Sequence, residues 1–267
     1  MTDVLSTRSV SSDLWEEFNN TFRNGPAPLP QGWAEVFGPL HKGAVDDLVI
    51  VGQTGQSLDG RLATETGHSK YINGPEGLTH LHRLRSLVDV VVVGVGTAIA
   101  DDPLLTVRRV CGPQPARVVI DPGGRLGAGA KMFADDGVPR LLITAQGTHV
   151  SPPPGVEVVV LPAVDGRISP AAIVGALADR GMRRMLIEGG ANTISRFLVA
   201  GYLDRLHIMV APVILGGGGP GLILPPRARA DEAPRMSMAV HRMGEDVLFD
   251  CDLSDQRVAL GVAKKSA

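Results

Sequence analysis

Short runs of apolar, mostly β-branched residues recur along the chain from residue 45 onward, and each ends at a turn residue. Runs of this length and composition are typical of strands that are buried on both faces. The predicted strands are 48–52, 90–94, 117–121, 140–144, 156–161 and 184–188. Between them, apolar positions at helical spacing predict helices over 76–87, 170–181 and 191–201.

This alternation of strand and helix predicts an α/β fold. Apolar strands that are separated by helices form a mostly parallel central sheet with helices on both faces. Two later segments differ, because 203–216 is strand-like without a following helix and 246–253 alternates apolar and polar residues. We therefore expect antiparallel C-terminal strands to complete the sheet.

The first 44 residues follow another pattern. Leu14, Trp15, Phe18 and Phe22 recur at helical spacing, and the segment GPAPLPQG then interrupts the pattern. We predict an N-terminal extension with a short helix over 1–44, one domain over 45–255 and a tail over 256–267. The helix is expected to pack on the main domain or on a partner subunit, with a substrate lid as the alternative.

Composition and charge narrow the function classes. The 267 residues are 44% hydrophobic and carry a net charge of −2 without a basic block, which argues against a nucleic-acid surface. The start of the chain is too polar for a signal peptide, and no apolar run reaches the ~20 residues that span a bilayer. Cys111 and Cys251 form no CxxC pair, so no metal site is predicted. A cytoplasmic protein is expected.

Three glycine-bearing turns follow predicted strands: GVGT at 94–97, EGGANT at 188–193 and LGGGGPG at 215–221. Ligands bind at the carboxyl ends of parallel strands, where glycines allow a close approach and helix starts offer N–H donors to phosphate. A single turn of this kind is more often only a tight turn. Three of them in one domain indicate a phosphate-bearing ligand, although the P-loop motif is missing.

Polar residues add few independent signals. Arg85 and Arg108 are candidates for binding a phosphate, because a guanidinium offers a fork of donors. For Asp101 and Asp102, which precede Pro103, the simpler interpretation is that they stabilise a turn. His80 and His82 are two residues apart on a predicted helix and face different directions, which disfavours a metal pair. Nucleophilic catalysis has no support, since the GxSxG motif is missing.

Several segments nevertheless occur together in one order: SLDGRLAT, GHSKYI, HRLRS, VDVVVVGVGTAIADDPLLTVR, RVVID, LIEGGANT and LDRLHIMVAPVILGG. With these segments, the region from 45 to 253 resembles the reductase domain of riboflavin biosynthesis, a relative of dihydrofolate reductase. The resemblance implies a dihydrofolate reductase-like fold. It also implies hydride transfer from NADPH to C1′ of a ring-opened ribosylaminopyrimidine phosphate, which gives the ribitylamino product.

The resemblance also implies roles for individual residues and a homodimer. The implied substrate-binding residues are Ser69, Arg85, Leu105, Arg108 and Glu188, with the arginines on the 5′-phosphate. Glu188, facing the ribose or the ring, is the implied catalytic residue. The implied cofactor-binding residues are Gln56, Tyr71, Gly94, Gly96, Thr97, Asp101, Gly189, Gly190, Ala191, Asn192 and Thr193.

Three positions depart from the family pattern. Gln53 replaces a lysine of the bacterial bifunctional members, Gln56 stands where a small or apolar residue is usual, and Pro122 replaces a common serine. The zinc deaminase motifs HxE and PCxxC do not occur in residues 1–44. Two alternatives therefore stay open: an NADPH-dependent reductase of another heterocycle, such as a pterin, and a non-catalytic nucleotide-binding relative. No arginine can be assigned to the 2′-phosphate of NADPH from the sequence.

Overall fold

The computed structural model describes residues 12–24, 32–43, 45–70 and 72–261. Its helices are α1 (Ser12–Asn24), α2 (Trp33–Phe37), α3 (Pro75–Leu87), α4 (Val95–Asp101), α5 (Pro170–Ala178) and α6 (Ala191–Val199). Its strands are β1 (Val49–Ser57), β2 (Val90–Gly94), β3 (Ala116–Ile120), β4 (Arg140–Ala145), β5 (Val156–Leu161), β6 (Ala163–Val164), β7 (Arg167–Ile168), β8 (Arg184–Glu188), β9 (Arg205–Ala211), β10 (Ser237–Met243) and β11 (Asp246–Asp252).

The described strands form one large sheet in the order β10-β11-β9-β1-β8-β2-β3-β4-β5, and β6 pairs with β7 as a separate hairpin. Pairing is parallel from β9 through β1 to β5. It is antiparallel where β11 joins β9 and β10. The predicted fold class, a mostly parallel α/β sheet with antiparallel C-terminal strands, is confirmed.

Alternate residues of the central strands feed two apolar clusters, one on each face of the sheet. In β1, Val49 and Val51 join the cluster under α3, whereas Ile50 joins the cluster under α5 and α6. Strands that are buried on both faces need apolar residues at every position, which is why these runs were recognisable in the sequence. The carboxyl ends of these strands meet at one edge of the sheet.

Several predicted boundaries were wrong. β1 continues through Gly55 and Gln56 to Ser57, because pairing with β9 extends the strand beyond its apolar half. Helices α5 and α6 end earlier than predicted, and the turns that follow them contain Gly181 and Gly201 with positive φ values of 78° and 73°. Helix α4 and strand β10 were not predicted. The two glycines of GVG indicated a turn where α4 begins, and β10 is a largely exposed edge strand.

The N-terminal helix packs on the main domain. Trp15, Phe18 and Phe22 are buried against it, whereas Leu14 is 52% exposed and lies outside the contact. On helix α3, the guanidinium of Arg83 lies 5.2 Å from the ring centre of Trp15 and 5.3 Å from that of Trp33. These contacts place the helix on the side of α3 that faces away from the predicted ligand residues.

Residues 256–261, which were predicted to belong to a tail, also pack on the domain. Arg257 is buried with its Nε 3.1 Å from Asp204 Oδ2, and the Val258 N–H donates to the Gly201 carbonyl. The same Asp204 oxygen accepts a hydrogen bond from the Ile50 N–H at 2.7 Å. This network attaches the C-terminal segment to β1. Residues 262–267 of the predicted tail lie outside the described residues.

Candidate active site

A cleft of about 920 Å³ extends along the carboxyl ends of β1, β8, β2 and β3. It contains most of the residues that the resemblance singled out. The predicted residues that line it are Ser69, Arg85, Gly94, Gly96, Thr97, Asp101, Leu105, Glu188, Gly189, Gly190, Ala191, Asn192 and Thr193. The structure therefore brings the implied substrate set and the implied cofactor set into one cavity.

Two predicted residues of the described chain, Gln56 and Arg108, are not among those that line the cleft. Gln56 is half-buried, and its side-chain oxygen packs against Gly221 at the end of β1. Arg108 is exposed outside the cleft, where its Nη1 donates to Thr106 Oγ1 at 3.3 Å. Tyr71 lies outside the described residues. Gln53, noted in the sequence only as a departure, does line the cleft and is paired in register with Glu188.

Arg85 and Glu188 form a buried, bidentate ion pair. Arg85 Nε and Nη2 donate to the two carboxylate oxygens of Glu188, both at 2.7 Å, and the side chains are 6% and 7% exposed. Arg85 Nη1 donates to the carbonyl of Thr106 at 3.0 Å. Three of the N–H donors of Arg85 are used in these bonds, so Arg85 fixes the orientation of Glu188. The assignment of Arg85 to the 5′-phosphate stays a prediction.

The segment 101–108 is fixed to α3 by hydrogen bonds. Besides the bond from Arg85 to Thr106, the Arg108 N–H donates to His82 Nδ1 at 3.1 Å. Gln114 pairs with both backbone groups of Val107 at 2.7 Å. Directly before these anchors, Leu105 has a φ of 55° and is only 2% exposed. A buried leucine in the left-handed region is strained, and such strain concentrates at functional sites.

Two glycine-bearing corners, β2–α4 and β8–α6, interlock at the centre of the cleft. Thr97 Oγ1 accepts a hydrogen bond from the Gly190 N–H at 2.8 Å. Gly189 has a φ of 109°, and a Cβ added there would lie 2.7 Å from Thr97 Oγ1. A Cβ on Gly94 would lie 2.3 Å from Thr193 Oγ1. The glycines are required because each corner packs directly on a threonine of the other.

The cleft also contains polar residues that sequence reasoning missed. Asn73 lies beside β1, and Arg125, Arg167 and Arg196 line the cleft from the turn after β3, from β7 and from α6. Arg167 stands in a short hairpin outside every quoted motif, so no sequence signal marked it. Ser69, which was predicted, donates to Asp101 Oδ1 at 3.0 Å and links the two implied residue sets.

Positive charge from three arginines, Arg85, Arg108 and Arg109, surrounds His82 on α3. Burial, followed by the charges of Arg85, Arg108 and Arg109, lowers the pKa of His82 from 6.5 to about 3. The pKa of Arg108 is lowered by partial burial and by its arginine neighbours. His82 is therefore neutral at physiological pH and serves as a hydrogen-bond acceptor in a positively charged surrounding.

Neither a metal-binding cluster nor a membrane-spanning helix is found among the described residues. No set of three or more His, Cys, Asp or Glu side chains there is arranged to hold a metal ion. No helix among them has both the length and the apolar character that crossing a membrane requires.

Comparison with known proteins places this geometry in a family. Riboflavin biosynthesis protein RibD of Aquifex aeolicus is 34% identical over 73% of this chain and 54% of its own length. The chain therefore spans about half of that relative. The 2,5-diamino-6-ribosylamino-4(3H)-pyrimidinone 5′-phosphate reductase of Methanothermobacter thermautotrophicus is 31% identical over 75% of this chain, and the match covers 96% of that protein.

Solved structures agree with the fold. The deaminase/5-amino-6-(5-phosphoribosylamino)uracil reductase of Thermotoga maritima superposes with a TM-score of 0.67 at 26% identity, over 77% of this chain and 56% of the other. Residues 49–249 match the family described as RibD C-terminal domain, which covers the whole cleft-bearing part of the sheet. This chain is a member of the RibD C-terminal domain family.

Proposed function

We propose that this chain is an NADPH-dependent reductase of riboflavin biosynthesis that converts the ribosyl group of a 5-amino-6-(5-phosphoribosylamino)pyrimidine to the ribityl form. Membership of the family supports the proposal, as does a named reductase that the match covers almost completely. The structural observation that carries it is the position of the Arg85–Glu188 pair, which shares one cleft with the interlocked glycine corners.

The donor set of the cleft fits a nicotinamide dinucleotide. The N–H groups of Ala191 and Asn192, at the start of α6, have no acceptor within the helix, and Gly189 and Gly190 keep the backbone next to them free of side chains. Leu78, Leu81 and Leu105 supply an apolar wall for a flat ring. When bound, the cofactor supplies the hydride, while the protein supplies alignment and charge.

Glu188 has a defined part in this chemistry. Arg85 holds both of its oxygens, so the carboxylate is fixed in orientation beside the reacting ribose. A fixed carboxylate stabilises the positive charge of an imine-like C1′ as the amine donates its electrons. Gln53 and Asn73 line the same part of the cleft and offer neutral amides to ribose hydroxyls. Arg108 and Arg109, beside the cleft, attract the 5′-phosphate.

The test is NADPH oxidation by the purified protein with three substrates offered separately. These are the deaminated and the non-deaminated phosphoribosylaminopyrimidine and dihydrofolate. We expect oxidation with at least one of the pyrimidine phosphates and a ribityl product by mass spectrometry. Turnover of dihydrofolate alone would support the reductase of another heterocycle. Dinucleotide binding without oxidation of any of the three would support the non-catalytic alternative.

We also propose a homodimer. Strand β10 is an edge of the large sheet, and it exposes Met238 and Val240, which are 53% and 57% accessible. Apolar edge strands normally gain cover from another chain or element. A second copy is the occupant that the family resemblance implies. Light scattering should give twice the monomer mass, and Val240→Lys should convert the dimer to monomer without unfolding it; a monomeric wild type would refute this proposal.

A further inference from the structure

Arg167 and Arg196 line the same end of the cleft and are linked through the backbone of the β6–β7 hairpin. Arg196 Nη2, on α6, donates to the carbonyl of Ile168, the residue next to Arg167. This bond attaches the hairpin to α6 and keeps the two arginines near each other. Burial lowers the pKa of Arg196, and the positive charge of Arg167 lowers it further, which agrees with their closeness.

Their charges are not compensated within the protein. Among residues 72–261, neither arginine forms an ion pair with a carboxylate, and Arg167 makes no side-chain hydrogen bond with a described residue. By contrast, Arg180, Arg205 and Arg257 are each paired with an acidic residue. Two like charges that line a cleft and have no carboxylate partner favour binding of a multiply charged anion.

The position of the pair relative to the glycine corner indicates which anion. Arg196 lies five residues after Ala191, so it stands about 7 Å along α6 from the helix start. A dinucleotide with its pyrophosphate at that start has its adenosine ribose attached directly to the pyrophosphate. The pair of Arg85, on α3, and Glu188, at the end of β8, lies on the other side of the corner, where the substrate is expected.

We propose that Arg167 and Arg196 form the site that binds the ribose 2′-phosphate of NADPH and thereby selects NADPH over NADH. The proposal rests on the proposed use of a nicotinamide dinucleotide. A phosphate monoester carries close to two negative charges at neutral pH, whereas NADH has an uncharged hydroxyl at this position. Guanidinium groups bind such a dianion with paired, charge-assisted hydrogen bonds. This would supply the arginine assignment that the sequence did not allow.

The experiment is calorimetric titration of the full chain with NADP⁺, NAD⁺, adenosine 2′,5′-bisphosphate and AMP. Arg167→Ala has no described side-chain hydrogen bond to lose, and Arg196→Gln retains an amide donor for the Ile168 carbonyl. Each substitution should weaken the binding of NADP⁺ and of the bisphosphate roughly ten- to hundred-fold, because one or two charge-assisted hydrogen bonds are lost. NAD⁺ and AMP should bind the variants as they bind the wild type.

Arg180→Ala is the matched control, because Arg180 lies beyond the far end of α5 and pairs with Glu157 outside the cleft. It should bind all four ligands like the wild type. If the binding of NADP⁺ and of NAD⁺ weakens equally, the arginines bind the shared pyrophosphate and the proposal is overturned. An unchanged preference for NADP⁺ over NAD⁺ in the variants would also overturn it.

A third outcome separates the two phosphate sources. If the KM for the pyrimidine phosphate rises while the bisphosphate binds normally, the pair binds the substrate's 5′-phosphate and the proposal fails. The proposed function is tested separately, by turnover. An altered NADP⁺ preference in a protein that reduces no pyrimidine phosphate would leave this inference standing and refute the function.

Discussion

The two ends of the cleft both contain arginine, but they use it differently. At one end, Arg85 is buried and both carboxylate oxygens of Glu188 bind its guanidinium. At the other end, Arg167 and Arg196 have no carboxylate partner among the described residues. A neutralised arginine fixes the orientation of another side chain, whereas an uncompensated pair attracts an anion. The same residue type therefore indicates a positioning role at one end and ligand binding at the other.

Glu188→Gln has the largest expected effect, because it leaves Arg85 without a carboxylate partner, as Arg167 and Arg196 are. The substitution leaves the Arg85 charge buried and without compensation, which costs roughly 3–5 kcal/mol of the free energy of unfolding. It also removes the carboxylate beside the reacting ribose, and kcat should fall on the order of 10²-fold or more. Chemical denaturation and steady-state turnover measure the two effects.

Glu157→Gln is the matched control for that change. The ion pair of Glu157 with Arg180 is at the surface, with side chains that are 52% and 32% exposed. Surface pairs contribute about 0–1 kcal/mol, so this variant should unfold close to the wild type and turn over normally. If the two variants lose equal stability, the pairing of Arg85 does not have the buried character assigned to it.

Gly189→Ala tests the corner that lies between the two ends. The residue has a φ of 109°, and the added Cβ would lie 2.7 Å from Thr97 Oγ1, so we expect a loss of about 1–3 kcal/mol in stability. Displacing Thr97 from the Gly190 N–H should weaken dinucleotide binding as well. Thermal unfolding and titration with NADP⁺ measure these losses.

Gly96→Ala provides the contrast on the neighbouring helix. A Cβ at Gly96 meets no atom within 4 Å, and alanine is favoured over glycine in a helix by up to about 1 kcal/mol. This variant should keep or gain stability. A loss as large as that of Gly189→Ala would show that glycine content alone, and not the interlocking of the corners, matters.

The smallest expected effect at neutral pH concerns His82 and its arginine-rich surroundings, because this effect on stability develops only as the pH falls. The unfolded chain protonates His82 near its ordinary pKa of 6.5, whereas the folded protein protonates it only near pH 3. Because the unfolded state binds more protons between these values, the free energy of unfolding decreases as the pH falls through this window. His82→Asn retains an acceptor for the Arg108 N–H and should make the decrease shallower.

Denaturation at a series of pH values measures this slope, with the exposed His149→Asn as control. His80, whose pKa burial also lowers, remains in the variant, so part of the slope should persist. An unchanged slope in His82→Asn would contradict the electrostatic description of the Arg85 end.

The sequence allowed prediction of the parts of the fold whose residues are apolar at every position. Strands such as β2 and β8 were recognisable because both of their faces are buried. Strand β10 was missed because it is an exposed edge, and α4 was missed because two glycines lie at its start. Local composition does not show whether another element will cover a segment such as β10 or α4, so these elements could not be predicted from it.

The candidate site was predictable from motifs, but its internal pairing was not. The resemblance assigned both Arg85 and Glu188 to the substrate, and nothing in the sequence indicated that these residues, 103 positions apart, bind each other. Nor did the sequence indicate that the side chain of Gln56, which the resemblance assigned to the cofactor, packs against Gly221. Arg167 carried no signal, because its role depends on the bond that attaches its hairpin to α6. Such roles arise from tertiary packing.

Isotope transfer tests the central claim most directly. The protein is incubated with the phosphoribosylaminopyrimidine and with NADPH that carries deuterium at the transferable position of the nicotinamide ring, and the product is analysed by mass spectrometry and NMR. The account predicts a ribityl product with one deuterium at C1′. A product without deuterium at C1′, or dinucleotide that stays reduced in the presence of substrate, would contradict it.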